Sequence, residues 1–149
     1  MNWAANVYLL AVAWPLARTD IREHRLPNKY TLPAIAIALF SELLAAAIGN
    51  QWLNFFTAMI CAVVAFGVTL LANRFATLGM GDVKLITAMS LCLGWFSPMA
   101  PLLALTFAFV IAGIVILAKL AARKTRMGQS IPLGPYLLIG FVISLVMSC

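Results

Sequence analysis

The stretch "GMGDVKL", residues 79–85, sets an aspartate between a glycine pair and a lysine, against the start of an apolar segment. The chain holds only four carboxylates, Asp20, Glu23, Glu42 and Asp82, so each one is informative. Other chemistries are poorly supplied. His24 is the one histidine, which excludes H-E-x-x-H zinc chemistry and any two-histidine metal site, and it stands in the charged run "DIREHR", where a solvated loop role is the ordinary one. No G-x-S-x-G elbow is present. Cys61, Cys92 and Cys149 form no C-x-x-C pair, so they offer neither a disulfide framework nor a zinc site, and plain apolar packing accounts for them. Acid chemistry without a metal or cofactor remains.

Carboxylates in or at the edge of a membrane are costly enough to be functional candidates. Glu23 has four bases nearby and reads as a partner in weak surface ion pairs. Glu42, in "LFSELLAAA", lies past the midpoint of an apolar run. It fits an interior hydrogen bond or an interface contact beside Ser41, and also a proton path. Asp20 and Asp82 differ, because each stands at the end of an apolar run on the same side of the membrane. Two carboxylates that meet across a bundle cannot both ionise freely, so they share a proton. In that state one carboxylate takes a proton from water while the other, protonated, polarises a carbonyl. Asp20 lies near a helix C-terminus, where the macrodipole disfavours an anion, and Asp82 near a helix N-terminus, where it is favoured. Asp82 is therefore expected to be the resting carboxylate and Asp20 the acid. Gly79 and Gly81 let the backbone turn and approach another chain; the same residues also fit a plain loop before a helix, with Lys84 an ordinary membrane-edge anchor.

The elements that must position these groups follow from composition. Of 149 residues, 64% are hydrophobic and 9% charged, against a usual charged share of about 25% in soluble domains. Windows of span length can be laid along the sequence with little left over, at residues 2–18, 32–48, 53–73, 83–97, 99–118 and 132–149. The fourth is short and is expected either to start within 79–81 or to sit where the bilayer is thinned at one face. The expected fold is an all-α polytopic bundle of six transmembrane helices in a single domain covering 1–149, with no soluble insert. Every lysine and arginine falls at the first, third or fifth connection, while "GNQW" and "SPMAP" carry none. Basic loops stay on the cytoplasmic side, so both termini are expected outside. The net charge of +6 is thus a topology signal, and no nucleic-acid partner is expected. "AVA" at 11–13 imitates a signal-peptide cleavage site but lacks the basic segment before it. Small residues at Ala108, Ala112 and Gly113 permit close helix contacts.

Three stretches in order resemble the type IV prepilin peptidases, membrane aspartic proteases of the GxGD class. "DIREHRLPN", from Asp20 through Arg22 and Pro27 to Asn28, is similar to the family's first-aspartate loop. "GMGDVKL" fits its G-x-G-D-x-K-L pattern at every specified position, and "IPLGPYLLIG" resembles its Pro-x-Gly-Pro stretch before the last span, with Leu in place of the commoner Phe. Together with the six-span layout the resemblance covers essentially the whole chain. It implies that Asp20 and Asp82 are the catalytic pair, that Gly79, Gly81 and Lys84 shape the second aspartate's site, and that Pro132, Gly134 and Pro135 pack near the cleft. From the residues alone, Pro132 can start a helix, with Gly134 and Pro135 loosening its first turn, or the whole stretch is a mere span-opening turn.

The substrates so implied are precursors of type IV pilins and pseudopilins, cut after a glycine at the cytoplasmic face of the bacterial inner membrane, with pilus or secretion assembly machinery as further partners beside the lipid bilayer. Larger members of the family carry a cysteine-containing cytoplasmic insert after the first span and also methylate the new N-terminus. Here that connection is short and has no cysteine, which implies a peptidase without methylation, similar to the short forms that serve tight-adherence (Flp-type) pili. Two other classes fit the inventory: a small proton-coupled transporter or channel subunit using Asp20, Asp82 and Glu42 as a relay, and a non-catalytic assembly subunit. The topology makes a direct prediction. Asn50→Cys should react with a membrane-impermeant thiol reagent in intact cells, and Lys124→Cys only after permeabilisation; the opposite pattern inverts the orientation.

Overall fold

The structure, a computed structural model, describes residues 4–23, 28–75, 79–122 and 133–148, with the side chains of 4–5, 16–17 and 20–30 outside that description. The described residues form α1 (Ala4–Glu23), α2 (Asn28–Gly49), α3 (Trp52–Phe75), α4 (Met80–Gly94), α5 (Ala100–Ala121) and α6 (Gly134–Ser148), with no strand among them. Each expected span is a helix. Thr31–Gly49, Trp52–Phe75 and Ala100–Ala121 are long and apolar enough to cross a bilayer, with mean hydropathies of 2.0, 2.4 and 2.6. The chain is a multi-pass helical membrane protein.

Packing follows the logic of lipid rather than water. Lipid tails are as apolar as leucine, so helices associate by close contact between small faces, and large side chains turn outward. In α3, Ala58, Ala62 and Thr69 are buried while Ile60, Val64 and Leu71 are exposed. In α5 the buried stripe is Ala100, Ala104, Ala108 and Ala112, and α6 lies against it through Gly140. A Cβ on Gly140 would collide with the Ala104 carbonyl and come within 2.9 Å of the Ala108 nitrogen. The Ser144 hydroxyl donates to the Ala100 carbonyl at 2.6 Å, fixing α5 and α6 as antiparallel neighbours. Of the small residues expected to permit close contacts, Ala108 and Ala112 are inside the bundle, whereas a Cβ on Gly113 meets nothing within 4 Å.

The helix that matters most is α4. At 15 residues it is about 22 Å long, short of a hydrocarbon core of about 30 Å. Its length need not match the lipid, because Val83, Leu85, Ile86 and all residues from Ala88 to Gly94 are buried. Helices α2, α3, α5 and α6 all pack on it, and α1 closes a four-helix ring with α2, α4 and α6. Alternation along the chain brings the ends of α1, α3 and α5 together with the starts of α2, α4 and α6. That shared end carries Arg18, Arg74, Lys84 and Lys119 and is called the basic end below.

Several boundaries differ from the sequence expectation: α1 runs on to Glu23 rather than 18, and α2 starts at Asn28 rather than 32. Laid over 83–97, with a start within 79–81 as one of the two expectations, α4 does begin at Met80, with Gly79 as its N-cap, but stops short at Gly94. The amides of Phe96 and Ser97 both return to the Leu93 carbonyl, and Pro98 disfavours a helical residue before it. The last helix begins at Gly134 rather than 132, with Pro135 in its first turn, where no amide hydrogen is needed. Tyr136 and Leu137 both donate to the Leu133 carbonyl, so Pro135 starts the turn and does not loosen it. Pro132 lies outside the described residues. The α5–α6 contact predicts that Gly140→Ala lowers stability in detergent by about 1–3 kcal/mol through overpacking. Gly113→Ala should leave it unchanged or raise it by up to about 1 kcal/mol; thermal unfolding of the two variants checks both.

Candidate active site

Asp82 stands in the first turn of α4. Its amide and that of Val83 donate to the Gly79 carbonyl at 3.0 and 3.2 Å. The carboxylate folds back over the N-cap: a Cβ built on Gly79 would lie 3.1 Å from Asp82 Oδ2. Gly79 has φ −65° and ψ 140°, an extended conformation open to any residue, so it is needed here for room rather than for a sharp turn. The carboxylate occupies the positive end of a helix whose first amides have no intrahelical acceptors. Gly81 and Lys84 flank it on the same turn, both half-buried.

The basic end gathers the other candidates. Asp20 and Arg22 belong to the last turn of α1, and Asn28 is the first residue of α2; their backbones are described and their side chains are not. Pro27 and His24 lie outside the described residues. A groove lined by Leu10 and Trp14 of α1 and by Pro135, Ile139 and Ile143 of α6 shows these helices side by side, and since α1 ends and α6 starts at the basic end, the last turn of α1 and the first turn of α6 both lie there. Gly134 and Pro135 come level with α4's first turns by another route. Ser144 is bonded to Ala100, which follows Gly94 across a short turn. Stepping back ten residues along α6 and along α4 covers about 15 Å in each and reaches Gly134 and Lys84. Thus the end of α1 and the starts of α4 and α6 share one level at the basic end, and Asp82 lies there.

Glu42 is elsewhere. It is 1% exposed, deep in α2 toward the opposite end, and its Oε2 has no hydrogen-bond partner among the described residues. Ser41, its sequence neighbour, donates instead to the Ala38 carbonyl. Glu42 is therefore interior as expected. Cys92 is buried beside it, and the two are close enough to interact electrostatically. Five buried polar side chains of the described residues escaped the sequence reading: Asn6, Thr69, Ser90, Ser144 and, at 1% exposed, Thr31 of α2. In sequence Thr31 is one threonine at the edge of an apolar run.

Residues 7–118 match the model of the type IV leader peptidase family. The chain belongs to that family. The matched segment of this leader peptidase family member contains both Asp20 and Asp82, while Gly134 and Pro135 lie beyond it. It is 29% identical over 148 residues to a prepilin leader peptidase/N-methyltransferase of Vibrio cholerae, covering 95% of the chain and 56% of that relative. It is 31% identical over 132 residues to the leader peptidase HopD of Escherichia coli, covering 83% of the chain and 81% of the relative. The chain thus spans about half the length of the Vibrio protein. No solved structure matches it. For a leader peptidase family member built this way, Gly79→Ala should push the Asp82 carboxylate off its place. The carboxylate infrared band lost in Asp82→Asn should shift in Gly79→Ala, with the thermal midpoint nearly unchanged.

Proposed function

We propose that the protein is a membrane aspartic endopeptidase that removes the short basic leader of type IV, Flp-type prepilins or pseudopilins, cutting after a glycine at the cytoplasmic face of the inner membrane. The observation that carries this reading is the placement of Asp82 in the first turn of α4 at the same end of the ring as Asp20 in the last turn of α1. Family membership supports the peptidase, and the clustering of described bases at that end supports the cytoplasmic placement.

In the mechanism, Asp82 is the resting carboxylate, favoured by the α4 N-terminus, and Asp20 carries the shared proton. Asp82 takes a proton from water as the oxygen attacks the scissile carbonyl, and Asp20 donates to the carbonyl oxygen, giving a neutral tetrahedral diol. Return of a proton to the leaving nitrogen breaks the C–N bond and releases leader and mature pilin. A helical substrate hides its carbonyls, so the peptide is cut in an extended form. Gly79 leaves room for the Asp82 carboxylate itself, and Gly81, with no side chain, leaves space beside it for such a backbone.

Methylation is not part of the proposed activity. Only residues 24–27 separate α1 from α2, where larger members carry their insert. The burial of Glu42 favours one other reading, a proton relay running from the basic end into the bundle. A single experiment separates the two. In lipid, the native chain should trim a prepilin, Asp20→Asn and Asp82→Asn should each abolish trimming while remaining folded, and Glu42→Gln should retain it. Trimming that survives either aspartate change removes the aspartic mechanism, and methyl transfer by the purified protein removes the restriction to peptidase activity.

A further inference from the structure

The threonines of the described helices follow one habit. Thr19, Thr57, Thr69, Thr87 and Thr106 each donate to the carbonyl four residues earlier, at 2.6–2.8 Å, the usual way a hydroxyl is satisfied inside a helix. For Thr31 that carbonyl belongs to Pro27, outside the described residues, and the Thr31 Oγ1 is buried with no hydrogen-bond partner among the described residues. An unsatisfied buried hydroxyl is expensive, and a group of that kind at a reaction centre has a use for its free valence.

Its position follows from the register of α2 on α4. Helices α2 and α4 both start at the basic end and pack on each other. Glu42 of α2 lies near Cys92 of α4. Eleven residues back on each helix, about 16 Å toward the basic end, stand Thr31 and Gly81. Eleven residues also return a helix to within about 20° of the same direction. Thr31 therefore shares the face of Glu42 and Gly81 that of Cys92, which sets Thr31 and Gly81, the residue before Asp82, at one level on neighbouring helices. Gly81 has no side chain to screen one from the other.

We infer that Thr31 is the third hydrogen-bonding group of the active site, accepting the hydrogen of the attacking water that Asp82 does not take. The inference rests on the endopeptidase reading above. Water has two hydrogens and two lone pairs, and a bound water needs several polar partners to be oriented. One hydrogen goes to Asp82, the bond that breaks. The other, held by Thr31 Oγ, stays on oxygen and remains in the product diol. A lone pair is thereby aimed at the scissile carbon, the kind of positioning that is felt in the barrier rather than in substrate binding. Thr31 neither gains nor loses a proton.

The test compares Thr31→Val, which keeps the shape and removes the hydroxyl, with Thr31→Ser, which keeps the hydroxyl. The expected result is a kcat about tenfold or more lower in the valine variant with KM unchanged, and a serine variant within about threefold of native. Equal kcat in the native and valine proteins overturns the inference, and so does serine failing together with valine. If the valine variant does not fold, serine against alanine is judged by the same criterion. An isotope-edited infrared measurement keeps this inference separable from the endopeptidase reading. The carboxylate band lost in Asp82→Asn should shift in Thr31→Val; an unmoved band places Thr31 outside the Asp82 network. A native protein that cleaves no precursor counts against the endopeptidase reading, while the infrared comparison still decides for or against Thr31.

Discussion

Burial of α4 on every side is the constraint on which the site depends. A helix that faced lipid would have to match the thickness of the hydrocarbon core, and its first turn would sit where the bilayer placed it. Because α2, α3, α5 and α6 cover α4, it is set by protein contacts alone. Its N-terminus stands at a fixed level relative to the end of α1 and the start of α6. Asp82 inherits that precision, since its carboxylate is folded against the N-cap at Gly79 and held where the helix dipole favours charge.

Close contact makes such a helix possible. Gly94 fits against Ala58 and Cys61 of α3, and Gly140 against Ala104 and Ala108 of α5. Each removes a side chain where two backbones nearly touch. The short turn from Trp95 to Met99 then joins α4 to α5 without a long excursion. Only a chain with small residues at these crossings can hold the fourth helix in the middle and still leave Leu, Ile and Phe for the lipid.

Much of this was legible in the residues. Apolar runs of span length named all six helices, and scarcity of acid singled out Asp20 and Asp82, because a chain with four carboxylates leaves few ways to do chemistry. The class of enzyme was carried by the three motifs. Their family is borne out by the match over residues 7–118, whereas the roles of the individual residues rest on placement and proposal. The helix limits at Gly94 and Gly134 were not legible, since proline permits several nearby solutions and backbone bonding to Leu93 and Leu133 chooses among them. Nor was the state of Glu42 Oε2 or of Thr31. Whether a buried polar atom is paired depends on neighbours from other helices, which local sequence does not contain. Thr31 is doubly hidden, because a threonine at the start of an apolar helix looks like the five that bond to their own backbone.

The alanine and glycine stripes have a consequence for how the protein tolerates change. In a water-soluble domain the large apolar positions are the guarded ones and the outside drifts. Here the direction is reversed. Ile60, Val64, Leu71, Leu102 and Ile114 face outward and are free to exchange with any side chain of similar oiliness. Ala58, Ala104, Ala108 and Gly140 cannot gain a single methylene without parting two helices. Sequence drift in this chain is therefore permitted where the residues are largest and forbidden where they are smallest.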